Sequence, residues 1–232
     1  MRARTIFSYA RWTGVWSLLL TGLAMLAYPG GTLRNPSAHG YSFFQNFISD
    51  LGATVAWGGQ PNRTAASLFL VAFGVLAVAI AGCVLGFVRV CSSSAGQRRL
   101  ARAAATFAAL SCVGLLSSAA TPPDRFLSFH VWFAFSGFVA ASVATTLFAL
   151  ATARDTRFGI GITAGWAVLT LVPLALVSSR WWGPGVATDS GLTFHATAQK
   201  LAAVIYMLVC VYQTWAGERV LRTSDQPASA SR

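Results

Sequence analysis

Residues 65–88 read AASLFLVAFGVLAVAIAGCVLGFV, twenty-four positions without one charged side chain, bracketed by Arg63 and Arg89. About 20 apolar residues cross the hydrocarbon core of a bilayer, and a backbone with no water to bond must satisfy itself as a helix. Five more stretches share this character, giving spans at 13–33, 65–88, 103–121, 127–152, 158–179 and 194–216. Over the 232 residues, 55% are hydrophobic and only 10% charged, where a soluble domain carries about a quarter. Little chain remains for a separate soluble domain. The expected fold is an all-α integral membrane protein, a six-transmembrane-helix bundle occupying residues 1–222. The polar segment 223–232 (TSDQPASASR) has the composition of a disordered tail.

The net charge of +11 is a statement about orientation. Arg2, Arg4, Arg11, Arg89, Arg98, Arg99, Arg102, Arg154, Arg157, Arg219, Arg222 and Arg232 fall on one side of the six spans. Only Arg34, Arg63, Arg125 and Arg180 fall on the other. Basic residues of short loops accumulate in the cytoplasm, so both termini are expected to be cytoplasmic. No basic groove with interleaved aromatics is visible, so nucleic acid is not an expected partner. Met1–Arg11 followed by Val15–Ala27 also has the outline of a secretory signal, but Met25 stands where a small residue is wanted, and a retained first span is the expected reading. Sixteen arginines against one lysine suggest a GC-rich bacterial genome, hence a multi-pass protein of the bacterial inner membrane. Cys83, Cys91, Cys112 and Cys210 lie in spans or at the cytoplasmic edge, where no structural disulfide is expected. Gly82/Gly86 and Gly161/Gly165 are small-xxx-small pairs suited to close helix contact, and Pro173 should kink the fifth span.

The polar chemistry sits on the outer side. His39 lies in the first outer loop, and His130 and His195 lie just inside the fourth and sixth spans. Asp50, Asp124 and Asp189 are on the same side. Ionisable groups at membrane depth face a bundle interior or a wet cavity. Asp50, Asp124, His130, His195, Gln199 and Lys200 are therefore expected to converge on one outer-facing polar pocket. Four of them have a plainer reading: Asp50 capping a short helix, Asp124 a turn, His130 satisfied by a neighbouring hydroxyl, Lys200 snorkelling outward. If Lys200 is paired, Asp50 and Asp124 are its candidate partners. The aromatics Tyr41, Phe43, Phe44 and Phe47 should tuck the first outer loop over the bundle as a short helix or re-entrant turn. Ser49-Asp50 reads as a cap or turn, and Gly52 as a chain reversal.

Asn46-Phe47-Ile48-Ser49-Asp50-Leu51-Gly52-Ala53, directly after a first span, resembles the "ISDLGA" motif of a prokaryotic six-span membrane family, a domain of unknown function. That family is similar to the eukaryotic Frag/DRAM/Sfk membrane proteins. Ala65-Ala66-Ser67-Leu68-Phe69, His130 and Gln199-Lys200 match further positions of the pattern, with Asn46, Ser49, Asp50 and Gly52 as its motif residues. The resemblance implies lipid-related work with membrane lipids as partners; protein partners are unknown. Gly58-Gly59-Gln60-Pro61 stands where the eukaryotic members carry a proline-rich segment.

Two functions are consistent with these features. In the first, the polar pocket binds or handles a lipid or amphiphile with no cofactor. In the second, the protein is an intramembrane zinc hydrolase of a lipid amide or ester, with His39, His130 and His195 as ligands and Asp50 either as base or as a support behind the ligands. Three imidazoles plus an open water position make a sound catalytic zinc set. The ceramidase-like membrane hydrolases use a comparable set but place two histidines as HxxxH, whereas the residue four after His195 is Gln199.

Overall fold

The computed structural model describes residues 3–224. It has six long helices: α1 Ala3–Leu26, α2 Arg63–Val90, α3 Ala95–Ala120, α4 Pro123–Ala153, α5 Ile160–Trp182 and α6 Asp189–Ser224, with one 3-10 turn, Ile48–Gly52, between α1 and α2. Among the described residues there is no strand beyond two isolated bridges. Helices α2 to α6 are long and apolar enough to cross a membrane.

Their ends follow local chemistry. Pro29-Gly30-Gly31 stops α1, and Gly30 and Gly31 take φ of 143° and 85°, which L side chains rarely adopt. The expected first span, 13–33, is corrected accordingly: the helix ends at Leu26 and residues 27–33 enter the outer loop. Ser94 caps α3, its hydroxyl accepting from Gln97 N at 3.1 Å. Pro122-Pro123 ends one helix and starts the next, with Pro123 in the first turn of α4. The tail expected from residue 223 is helical through Ser224; residues 225–232 lie outside the described residues.

Each helix packs on its neighbours in sequence, and α1 packs on α6, so the six form a closed ring with α2 also reaching α6 across the interior. Small residues set the closest approaches. A Cβ on Gly114 of α3 would stand 2.8 Å from the Cα of Gly137 on α4. One on Gly86 would enter the Phe7 ring at 2.3 Å, and one on Gly165 would meet the Gln213 amide at 2.7 Å. Both small-xxx-small pairs thus face partners inside the bundle. Phe87 anchors one end of the core, packed on Phe7, Phe148, Phe158 and Trp166.

The two ends of the ring differ. At one, Arg11 and Arg222 both bond Glu218, at 2.9 and 2.6 Å, which brings the first and last helices together. Asp155 is gripped there by Arg157 at 2.7 Å, and this holds its carboxyl well below the usual carboxylate range. At the other end the 27–62 segment folds into a cap. It is closed by the bridges Gly30 to His39 and Val55 to Pro61, and tied to the α5–α6 connection by Arg34, which bonds Asp189 at 2.8 Å and Ala187 O at 2.7 Å.

Candidate functional site

The cap is organised around two asparagines. Asn46 is fully buried. Its amide nitrogen donates to Gly31 O at 2.9 Å and to Asp50 Oδ2 at 3.0 Å, and its amide oxygen accepts from Ser42 N at 2.8 Å. Its main-chain carbonyl accepts from Lys200 Nζ and, at 3.3 Å, from the Tyr41 hydroxyl. Asn62, one residue before α2, donates from its amide nitrogen to Asp50 O, Leu51 O and Ala53 O at 3.4, 3.0 and 2.9 Å. It closes the 3-10 turn from below.

Asp50 is 6% exposed and Lys200 1%. A buried charge without a partner is costly, so each needs an explanation. Asp50 Oδ2 accepts from Phe47 N at 2.9 Å as well as from Asn46, so the carboxylate steadies the first turn of its own 3-10 helix. Burial pushes the Asp50 carboxyl up, against the hydrogen bonds of Asn46 and Phe47 and the nearby positive charge of Lys200. Lys200 neither snorkels outward nor touches a carboxylate. Its ammonium bonds the Asn46 carbonyl and, at 2.9 Å, Ala196 O, and it sits 5.4 and 5.2 Å from the Tyr41 and Phe43 ring centres. Asn46 thus stands between acid and amine, bonding the one with its side chain and the other with its backbone. Next to Lys200, Gln199 Oε1 accepts from Ile48 N at 2.7 Å, pinning the turn to α6.

Of the six expected pocket residues, Asp50, Gln199 and Lys200 are brought together. The other three are engaged elsewhere. Asp124 accepts from Thr54 N at 2.9 Å, from the Thr54 hydroxyl and from Val55 N, fastening the cap to the start of α4. His130 Nδ1 faces Thr121 O at 2.9 Å and Ser118 O at 3.0 Å, bracing the α3–α4 turn. His195 Nε2 bonds Pro184 O at 2.8 Å and holds the α5–α6 connection. His39 lies in the Gly30 bridge. The three histidines therefore serve three separate loops. Among the described residues no three His, Cys, Asp or Glu stand together as metal ligands would. Of the motif residues, Ser49 is half-buried. Gly52 does not take a positive φ; its role is close approach, because a Cβ there would stand 2.7 Å from the Phe69 ring.

Beneath the turn lies a cavity of about 90 Å³ between α2, α3, α4, α5 and α6. Ile48 roofs it, Phe73, Phe138, Pro173 and Met207 are among its walls, and Gln199 and Tyr206 are its polar groups. Asp50, Asp124, His130, His195 and Lys200 do not line it. The space at this end is thus apolar, with the charges held in its cover. Asn62 is not among the residues expected from the sequence. The signal that could have found it is its place at the start of the helix that carries the uncharged run 65–88, beside a turn whose carbonyls needed donors. Comparison with protein-family models, with curated proteins and with solved structures finds no match.

Proposed function

We propose that this chain is a six-span protein of the bacterial inner membrane that binds a lipid or amphiphile in the cavity beneath the 48–52 turn. The capped end faces outward and both termini face the cytoplasm. The cavity carries the reading: it is apolar, deep in the bundle and roofed by Ile48 of the ISDLGA segment. An apolar space with few convergent polar groups has the lining of a small-ligand site, and at about 90 Å³ it takes only a short part of a lipid, the rest lying outside it. The ISDLGA resemblance, with its lipid-related implication, supports the same reading. For the sixth span, α1 has 24 residues, about 36 Å at 1.5 Å per residue. Tyr9, Trp12, Trp16, Leu19, Leu23 and Leu26 form an exposed stripe at helical spacing that suits lipid contact.

The test is direct. The protein purified in a mild detergent should retain close to one lipid per chain by native mass spectrometry. Ala203→Leu, which fills the cavity from α6, should lose it. Purified protein that carries no lipid and takes none up from mixed micelles would overturn the reading.

A further inference from the structure

The polar groups facing the cavity restrict the class of molecule it can accept. Gln199 is oriented by the Ile48 N–H, which occupies its amide oxygen at 2.7 Å and so fixes which end of the amide is nitrogen. Among the described residues that nitrogen has no hydrogen-bond partner, and Gln199 lines the cavity. It presents N–H donors just under the roof. Tyr206, seven residues further along α6, lines the cavity about 10 Å further along the axis, and its hydroxyl neighbours Cys210, Cys112 and Cys83, none of which lines the cavity. No cation joins them. Lys200, next to Gln199, is turned into the cap and held by Asn46 O and Ala196 O. Four arginines stand at this end and none lines the cavity: Arg34 and Arg125 are bonded to Asp189 and Thr54, and Arg63 and Arg180 are exposed at the ends of α2 and α5.

Resting on the lipid-binding reading above, we propose that the occupant is a neutral lipid whose carbonyl oxygen accepts a hydrogen bond from Gln199 Nε2, with its hydrocarbon running down toward Tyr206 and Met207. An anionic headgroup would enter a space whose walls are apolar and whose only donors are neutral, losing its hydration without a countercharge. A neutral ester or ketone loses far less and gains the one donor that stands ready. Polar near the roof and apolar toward the bundle centre is also the order in which a lipid of the outer leaflet would enter.

The full chain in phosphatidylcholine nanodiscs distinguishes the possibilities by photocrosslinking with three diazirine probes: dioleoylglycerol, a menaquinone and phosphatidic acid with the same acyl chains. The expected result is labelling by at least one of the two neutral carbonyl probes, about tenfold above phosphatidic acid; the better of the two identifies the source of the carbonyl. Gln199→Glu keeps the acceptor that Ile48 N needs but removes both donors. It should weaken neutral-probe labelling about tenfold, the scale of one hydrogen bond to a buried donor. Ala203→Leu, with Ala202→Leu as a second filling variant should the first misassemble, should abolish labelling by all three. If filling the cavity leaves labelling unchanged, the lipid-binding reading itself fails. If filling abolishes labelling while phosphatidic acid labels as well as the neutral probes, or Gln199→Glu has no effect, the cavity reading stands and the neutral-carbonyl assignment is overturned.

Discussion

Asn62 shows how much one amide can hold. Its nitrogen serves the carbonyls of Leu51 and Ala53 at about 3 Å, and both lie in the buried part of the cap. Asn62→Ala leaves both without a donor, at about 1 kcal/mol each. The expected loss is about 2 kcal/mol, read as a lower thermal midpoint and faster proteolysis within residues 27–62. Asn62→Asp should be worse, since it sets oxygen against oxygen. Asp50 makes a pH prediction. Its carboxyl is raised in the folded state by burial, so the folded form holds its proton where the unfolded chain, with an ordinary value near 3.8, has released it. The folded state then binds more protons, and stability falls as pH rises above about 4. Asp50→Asn keeps one acceptor for Phe47 N and should flatten that slope in thermal unfolding measured from pH 4 upward. An unchanged slope in the variant would mean the titration belongs to another group.

At the scale of elements, helix contact in a membrane depends on how closely backbones can approach, because lipid is as apolar as leucine. Gly114 and Gly137 bring α3 and α4 backbone to backbone, with no flexible side chain between them to give way. Gly114→Val should separate the two helices and shift the purified protein to a broadened, early-eluting species on size exclusion. Gly22 of α1 faces open space, so Gly22→Ala should elute as the parent does. The helices themselves were legible because an uncharged run of twenty or more residues has one outcome in hydrocarbon. The expected spans 65–88 and 127–152 fall inside α2 and α4 for that reason. The first span was misplaced at its outer end because Tyr28 to Leu33 is apolar enough to continue a hydropathy window, while Pro29-Gly30-Gly31 cannot continue a helix.

For the whole molecule the arginine asymmetry becomes a test of topology. Ser37 in the cap and Ser92 between α2 and α3 are exposed at opposite ends of the ring. With both termini cytoplasmic, Ser37→Cys should react with a membrane-impermeant maleimide on intact cells, and Ser92→Cys only after permeabilisation. The parent's own cysteines, buried or half-buried, set the background. Ser92→Cys labelling in intact cells would invert the orientation.

Composition and periodicity determined that this chain is a bundle of apolar helices and which of its ends is rich in arginine, because both depend on solvent and charge acting residue by residue. They also marked Asp50, Gln199 and Lys200, since ionisable and amide groups next to hydrocarbon need partners. Only the tertiary structure decided what those partners are. A backbone carbonyl on Asn46, and not a carboxylate, receives Lys200. Asp124 and two histidines serve loops where a shared pocket was expected. The space beneath them is apolar. Such choices turn on angstrom distances between segments up to 154 residues apart, and spacing along a chain carries no record of them.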